Sequence, residues 1–308
     1  MPHTVGILFV HGIGTQACGD TLLQFGGAVH RWLKGWLQGL ARGGDVEMPD
    51  TRLQPSPEDP LAPAHTRLVI RPGEGRHEES WLLAESWWAD VFRPPRFADL
   101  AYWLLAIVPP AIPLHFAPRI RDWLGLFERG SDIRDRAADR AARIRGNRPM
   151  ARGLGELFVY ALLTPLAMVI GLTIQALTLL LMALALAPVG PLRRFTGSVQ
   201  QQLAASVGDS FIFLTSPFER SAIASRVQRD LGWLAARCEH VVVVAHSQGG
   251  AVSHLALEGL SGEGRTPKNM ELLITFGSGL RKLFDLRQLL NKPAGWMMVA
   301  WSVVGVAS

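Results

Sequence analysis

The sequence predicts an α/β fold: a mostly parallel sheet with helices, interrupted by a helical, membrane-associated insertion. Three features point there. Short apolar runs at Val5–Val10, Arg67–Ile70, Phe211–Leu214, Val241–Ala245 and Leu272–Phe276 alternate with helical patterns in the two outer parts of the chain. The run VVVVA has no polar alternation, as expected of a strand buried on both faces of a parallel sheet. Between the outer parts, Leu157–Leu192 holds 36 residues without one charged side chain. The organisation expected is a first core segment (1–97), an insertion (98–194) and a second core segment (195–308).

The elements follow in order. Val5–Val10 is a strand ending in the glycine-bearing HGIGTQACGD. Thr21–Leu40 is a helix, with Leu22, Phe25, Val29, Trp32, Leu33 and Trp36 near helical spacing. GGDVEMPDTRLQPSPEDPLAP is loop on its Pro, Gly and Asp content. Arg67–Ile70 is a strand, and Glu78–Phe92 a tryptophan-rich helix stopped by Pro94 and Pro95. Leu100–Pro118 is uncharged but carries four prolines, and Arg119–Arg152 sets ten arginines against five acids. After Arg193 and Arg194 come a strand at Phe211–Leu214 and a helix at Ser221–Leu234, with Ile223, Val227, Leu231 and Leu234 on one face. The strand Val241–Ala245, the helix Gly249–Leu260 and the strand Leu272–Phe276 complete the pattern.

Composition narrows the function. Hydrophobic residues make up 48% and charged residues 19%, with the apolar excess concentrated in the insertion. The net charge of +5 suits an anionic membrane surface; no basic stripe interleaved with aromatics marks a nucleic-acid binder. Two cysteines, Cys18 and Cys238, make neither a CxxC nor a disulfide framework and fit a reducing compartment. The N-terminus lacks the basic region and apolar length of a secretory signal. GTQACGDT approaches a P-loop, but Asp20 stands where the lysine belongs and repels phosphate, so no nucleotide is expected. Cys238, His240 and His246 match no zinc spacing, so no metal and no cofactor are expected.

The chemistry concentrates at VVVVAHSQGG. A serine between a buried strand and a helix is the arrangement of a nucleophile elbow, where a tight turn projects the hydroxyl above the sheet. Crowding demands small residues two before and two after the serine, and Ala245 and Gly249 occupy those places around Ser247. A serine that merely caps the helix is the plainer alternative; the β-branched run before it and the apolar helix after it favour the elbow. The helix N-terminus offers N–H groups to a developing oxyanion. One donor is Gln248, and the other is expected from the loop after the first strand, where Gly12 permits close approach and Ile13 or Gly14 supplies the N–H. His11 alone reads as a structural turn residue.

FVHGIG after the first strand, VVVVAHSQGG, and LLITFGSGLRKL after the elbow helix resemble the α/β-hydrolase superfamily, in its lipase- and esterase-like members. FVHGIGTQACGDTLLQFG and WLLAESWWADVFRPP are similar to bacterial membrane-associated hydrolases. The resemblance covers the two outer parts and implies Ser247 as catalytic nucleophile, Ile13 and Gln248 as the oxyanion hole, and His11, Gly12, Gly14, Ala245 and Gly249 as the supporting turns. It implies acyl hydrolysis of an apolar ester or lipid substrate without metal or cofactor.

In that family the acid and then the histidine follow the nucleophile. After Ser247 the chain has one histidine, His254, and one aspartate, Asp285. His254 lies about 10 Å up the elbow helix at ~1.5 Å per residue, out of reach. His246 is expected to point to the other side of the strand, and Asp285 falls on a helix. Only 32 residues follow Phe276, so the C-terminal strands of the fold, with acid and base, are expected to lie outside this chain. No histidine is then expected on the Ser247 hydroxyl. A catalytically inactive membrane protein using the fold as an interaction module is the alternative.

Leu157–Leu192 exceeds the roughly 20 apolar residues of a spanning helix, which makes the lipid bilayer a partner. Both core segments share one sheet, so crossings are even in number. Two arrangements fit: Leu100–Pro118 and Leu157–Leu192 each span once, or Leu157–Leu192 doubles back near Gly171 with Leu100–Pro118 at the interface. With the core cytoplasmic, the second is favoured because it keeps the arginines on the positive-inside side.

Overall fold

The computed structural model describes residues 3–12, 16–39, 44–72, 77–109, 111–112, 150–280, 283 and 286–287, with the backbone alone described over 150–164. Two compact units result, one of Met1–Pro95 with Leu203–Arg281, the other of Arg96–Gln202 with Lys282–Ser308.

The first unit is a six-stranded sheet in the order β2-β3-β4-β1-β5-β6, from β1 (His3–Val10), β2 (Asp45–Arg52), β3 (Ala64–Arg71), β4 (Glu79–Ser86), β5 (Cys238–His246) and β6 (Met270–Phe276). β1 lies parallel to β4 and β5, and β5 parallel to β6, while β3 runs antiparallel to both β2 and β4. The sheet is therefore mixed and mostly parallel. A π-turn (Leu22–Gly26) leads into α1 (Gly27–Gln38), whose Leu33 and Leu37 join Phe9, Leu68 and Leu83 in one apolar layer. On the other face a Cβ on Gly6 would strike Cys238 and Leu234, which is how closely α5 (Pro217–Ala235) lies against β1. Phe9 and Gly6 differ in parity along one strand, so helices cover both faces. Ser216 caps α5 by accepting the Glu219 N–H, and Pro217 takes the first helical position, where a missing N–H costs nothing. Ile223, Val227, Leu231 and Leu234 are all buried, as their spacing predicts. α6 (Gln248–Gly262) follows β5, and β6 ends the sheet among the described residues with Leu272, Ile274 and Phe276 exposed.

Three expectations fail, each for a physical reason. Glu78–Phe92 is not a helix: Glu79–Ser86 is β4, and its unbroken buried run from Leu82 to Ser86 reflects a strand covered on both faces. Phe211–Leu214 is the end of helix α4 (Gly190–Thr215), since four apolar residues cannot by themselves separate strand from helix. Within the expected loop after Gly44 lies β2, an edge strand of which only Val46 is buried; with so little covered, the pattern is silent, and an edge tolerates Pro49.

In the second unit, α2 (Phe97–Ala106) packs on α3 (Met150–Ala185). The Gln175 amide donates to the Leu105 carbonyl at 2.8 Å, and a Cβ on Gly171 would sit 3.2 Å from Pro109. α3 runs unbroken through Gly171, so the expected doubling back there does not occur; the helix ends before Pro188 instead. Pro165–Ala185 is the one described helix long and apolar enough to cross a membrane, with only 17% of its window buried. Its polar residues are satisfied internally: Thr173 and Thr178 donate to the carbonyls of Val169 and Ile174. Residues 119–149 and 296–306 lie outside the described residues.

Candidate functional site

β5 delivers Ser247 to the C-terminal edge of the sheet and α6 starts immediately after it. Ser247 adopts φ 53° and ψ −123°, and among the described residues it is the only non-glycine at positive φ. A side chain in that region costs of order 1–3 kcal/mol, so the surrounding structure must hold it there. Two contacts do so. The Ser247 N–H donates to the Phe276 carbonyl at 3.0 Å, and its carbonyl accepts from Gly250 at 3.1 Å and Gly279 at 3.3 Å.

The small residues around the turn are explained by what lies against them. Ala245 is fully buried. A Cβ on Gly249 would come within 2.5 Å of the Val10 carbonyl oxygen and closer still to that of His11, so no larger residue fits. A Cβ on Gly12 would lie 2.7 Å from the Ser247 Cβ and 3.3 Å from its Oγ. The backbone after β1 thus passes directly beside the Ser247 hydroxyl. Ile13 and Gly14, the expected source of the second oxyanion donor, lie outside the described residues.

Gln248 is buried as the first residue of α6, and its N–H has no carbonyl partner within the helix. Its side chain accepts from the Ser210 hydroxyl at 3.1 Å and donates to the Asp209 carbonyl at 3.4 Å, which fixes the turn from α4. The sequence marks neither α4 residue, since the expected strand Phe211–Leu214 begins only after them and their partner meets them only in the fold.

His11 is fully committed to the fold. Its ring stacks on Trp88 with centroids 4.6 Å apart. Nδ1 donates to the Gly12 carbonyl at 2.9 Å, and Nε2 accepts from the Trp88 N–H at 3.2 Å. The Trp88 indole donates to the His11 carbonyl at 3.1 Å, and that of Trp87 to the Gln16 carbonyl at 2.8 Å. Burial pushes His11 down to about 4, so the ring is neutral at pH 7 with both nitrogens occupied. It orders the loop and has no lone pair for Ser247. Asp20, in the P-loop-like stretch, accepts the Ala17 N–H at 2.8 Å and closes the turn before α1. Glu85 on β4 accepts the Leu22 N–H from beneath; burial holds its carboxyl above the usual carboxylate range, against hydrogen bonds from Leu22, Thr21 and Gly19.

Comparison with protein-family models, with curated proteins and with solved structures yields no match. The chemistry of the site is therefore read from the residues alone.

Among the described residues the Ser247 hydroxyl has no hydrogen-bond partner, histidine or otherwise. His246 is exposed and packs between Phe276 and Phe25, with centroids 4.9 and 6.2 Å away. His254 is exposed on α6. His115 and Asp285 lie outside the described residues. Among the described residues no group of three or more His, Cys, Asp or Glu is arranged to hold a metal.

Proposed function

We propose that this chain is a membrane-associated serine hydrolase of α/β-hydrolase type, which cleaves an apolar ester through an acyl-Ser247 intermediate. The observation that carries the reading is Ser247 at φ 53° on a strand-to-helix turn. A strained non-glycine residue held at the edge of a parallel sheet is what an exposed nucleophile requires. The Ser247 oxygen attacks the acyl carbonyl, whose oxygen takes up negative charge. The Gln248 N–H at the start of α6, unpaired among the described residues, stabilises that charge, with an N–H of Ile13 as the second donor by resemblance. The Ser247 proton passes through solvent to the departing alkoxide, which leaves as the alcohol. Water then adds to the acyl carbon, the acid departs, and a water proton restores the Ser247 hydroxyl. α3 anchors the protein in the bilayer and brings the site to a lipid-borne substrate, with the sheet on the cytoplasmic side.

The lone Ser247 hydroxyl favours a second reading, in which the fold is kept as an inactive interaction module. A serine without a base is a weak nucleophile. Incubation of the full chain with a fluorophosphonate probe, followed by peptide mass spectrometry, separates the two. Slow labelling at Ser247 that is absent from Ser247→Ala supports the hydrolase. No adduct after prolonged incubation supports the module.

A further inference from the structure

Three indoles converge at the end of the sheet opposite Ser247. Trp32 and Trp36 stand one turn apart on α1, with rings 6.2 Å apart and 8° from parallel. They are 63% and 50% exposed, on a helix whose neighbouring Leu33 and Leu37 are buried. Trp81, near the start of β4, completes the trio. It is in register with Val5, and Val5 with His240, seven residues before Ser247 along β5. At ~3.3 Å per residue that is about 23 Å from the serine.

The indoles line a groove of about 570 Å³ together with Glu79 and the buried Leu33 and Ile70. That volume falls in the range of small-molecule sites, roughly 300–1,000 Å³. Among the described residues Glu79 is the only Asp, Glu, Lys or Arg in the lining, which also includes His77. One Glu79 oxygen accepts the Trp81 indole N–H at 3.2 Å, which fixes the carboxylate against the ring; the other oxygen accepts nothing from the described residues. The described cations nearby do not reach in. Arg71 is taken up by Glu47 and Glu78, and Arg31 and Lys34 of α1 are outside the lining.

Indole faces are electron-rich and attract cations that carry apolar surface. An anion in this groove meets a carboxylate. A neutral apolar ligand uses the rings but strips water from Glu79 without replacing it. A methylated ammonium uses both: its methyl groups lie on the indoles and its charge faces Glu79. We propose that this groove binds a quaternary ammonium group, carried by a free small molecule or by a lipid headgroup. The proposal does not depend on the reading of Ser247.

The test uses the full chain labelled with 5-fluorotryptophan in a maltoside detergent, with fluorine resonances assigned through Trp32→Phe, Trp36→Phe and Trp81→Phe. Tetramethylammonium chloride should shift those three resonances saturably, while sodium chloride and tert-butanol, the neutral molecule of similar shape, should not. Glu79→Gln should weaken binding about threefold and Trp36→Ala about tenfold, with Trp36→Phe retaining most of it, as expected for a half-exposed cation–π site. Bilayer discs of phosphatidylcholine that reproduce the shift, where phosphatidylglycerol discs do not, assign the cation to a headgroup; discs without effect assign it to a free molecule. An equal response to tert-butanol, or no saturable response, overturns the proposal. The same holds if Glu79→Gln and Trp36→Ala, with unchanged circular dichroism, bind as tightly as the parent.

Discussion

Helices α3 and α6 are both apolar, yet they meet opposite surroundings. α6 buries Gly249, Gly250, Ala251, Val252, Ala256 and Leu260 against the sheet and α5. α3 leaves Leu166, Val169, Leu177, Leu179 and Leu180 each more than half exposed. A helix on a sheet needs only one apolar stripe, and small residues suffice where the backbones press close. α3 is apolar around its whole circumference, and among the described residues of its own unit α2 and part of α4 touch it. The difference teaches that an apolar helix is not by itself a core helix: many of the large apolar side chains of α3 lie outside the protein core. We read the surplus as surface meant for lipid.

The most drastic way to break the comparison is to remove α3. Replacing residues 118–194 by a short linker should move the protein from the membrane pellet to the supernatant, almost completely; a soluble-competent deletion that stays in the pellet without aggregating places the anchor elsewhere. Substitution within α6 tests the other side. Gly249→Ala drives a Cβ into the Val10 and His11 carbonyls, which are backbone and cannot swing away. It should cost about 2–4 kcal/mol in urea unfolding. Gly232→Ala on α5 meets nothing within 4 Å and should gain roughly 0.5–1 kcal/mol.

A pH titration probes the loop that α6 presses against. The folded chain takes a proton on His11 only near pH 4, whereas the unfolded chain takes it near 6.5. Stability is then full above about pH 6.5 and falls as the pH drops toward 4, by up to roughly 3 kcal/mol at ~1.36 kcal/mol per unit. Glu85 and Asp230, raised by burial, act in the opposite sense and recover stability as the pH falls through their values. The difference between the parent and His11→Asn unfolding curves isolates the histidine, and an unchanged slope would falsify this assignment. A similarly small effect is expected at the turn itself. Ser247→Gly relieves the positive φ and should stabilise the protein by about 1 kcal/mol while abolishing probe labelling.

The turn was legible because crowding leaves a mark on composition: Ala245, Gly249 and Gly12 are small for reasons that a sequence carries in itself. β1, β5 and the buried face of α5 were legible for the same reason, since each apolar position answers to one neighbouring layer. What failed was β4, whose Trp87 and Trp88 look like helix filler but follow the strand and anchor the loop of Gly12 from a distance of about 75 positions in the chain. No local pattern announces such a contact. Glu85, Asp209 and Ser210 escaped likewise: a buried polar residue is recognised by its partners, and its partners are assembled only by the fold.

Among the described residues nothing pairs with the outer edge of β6, whose row of backbone donors and acceptors is flanked by the exposed Leu272, Ile274 and Phe276. Such a row does not distinguish its own neighbour from a strand borrowed from another molecule. Wherever that row stays uncovered, concentrated solutions of this protein face a competition between remaining dispersed and growing, strand on strand, into insoluble polymer. The outcome is set by how often molecules meet, and only secondarily by how stable each one is.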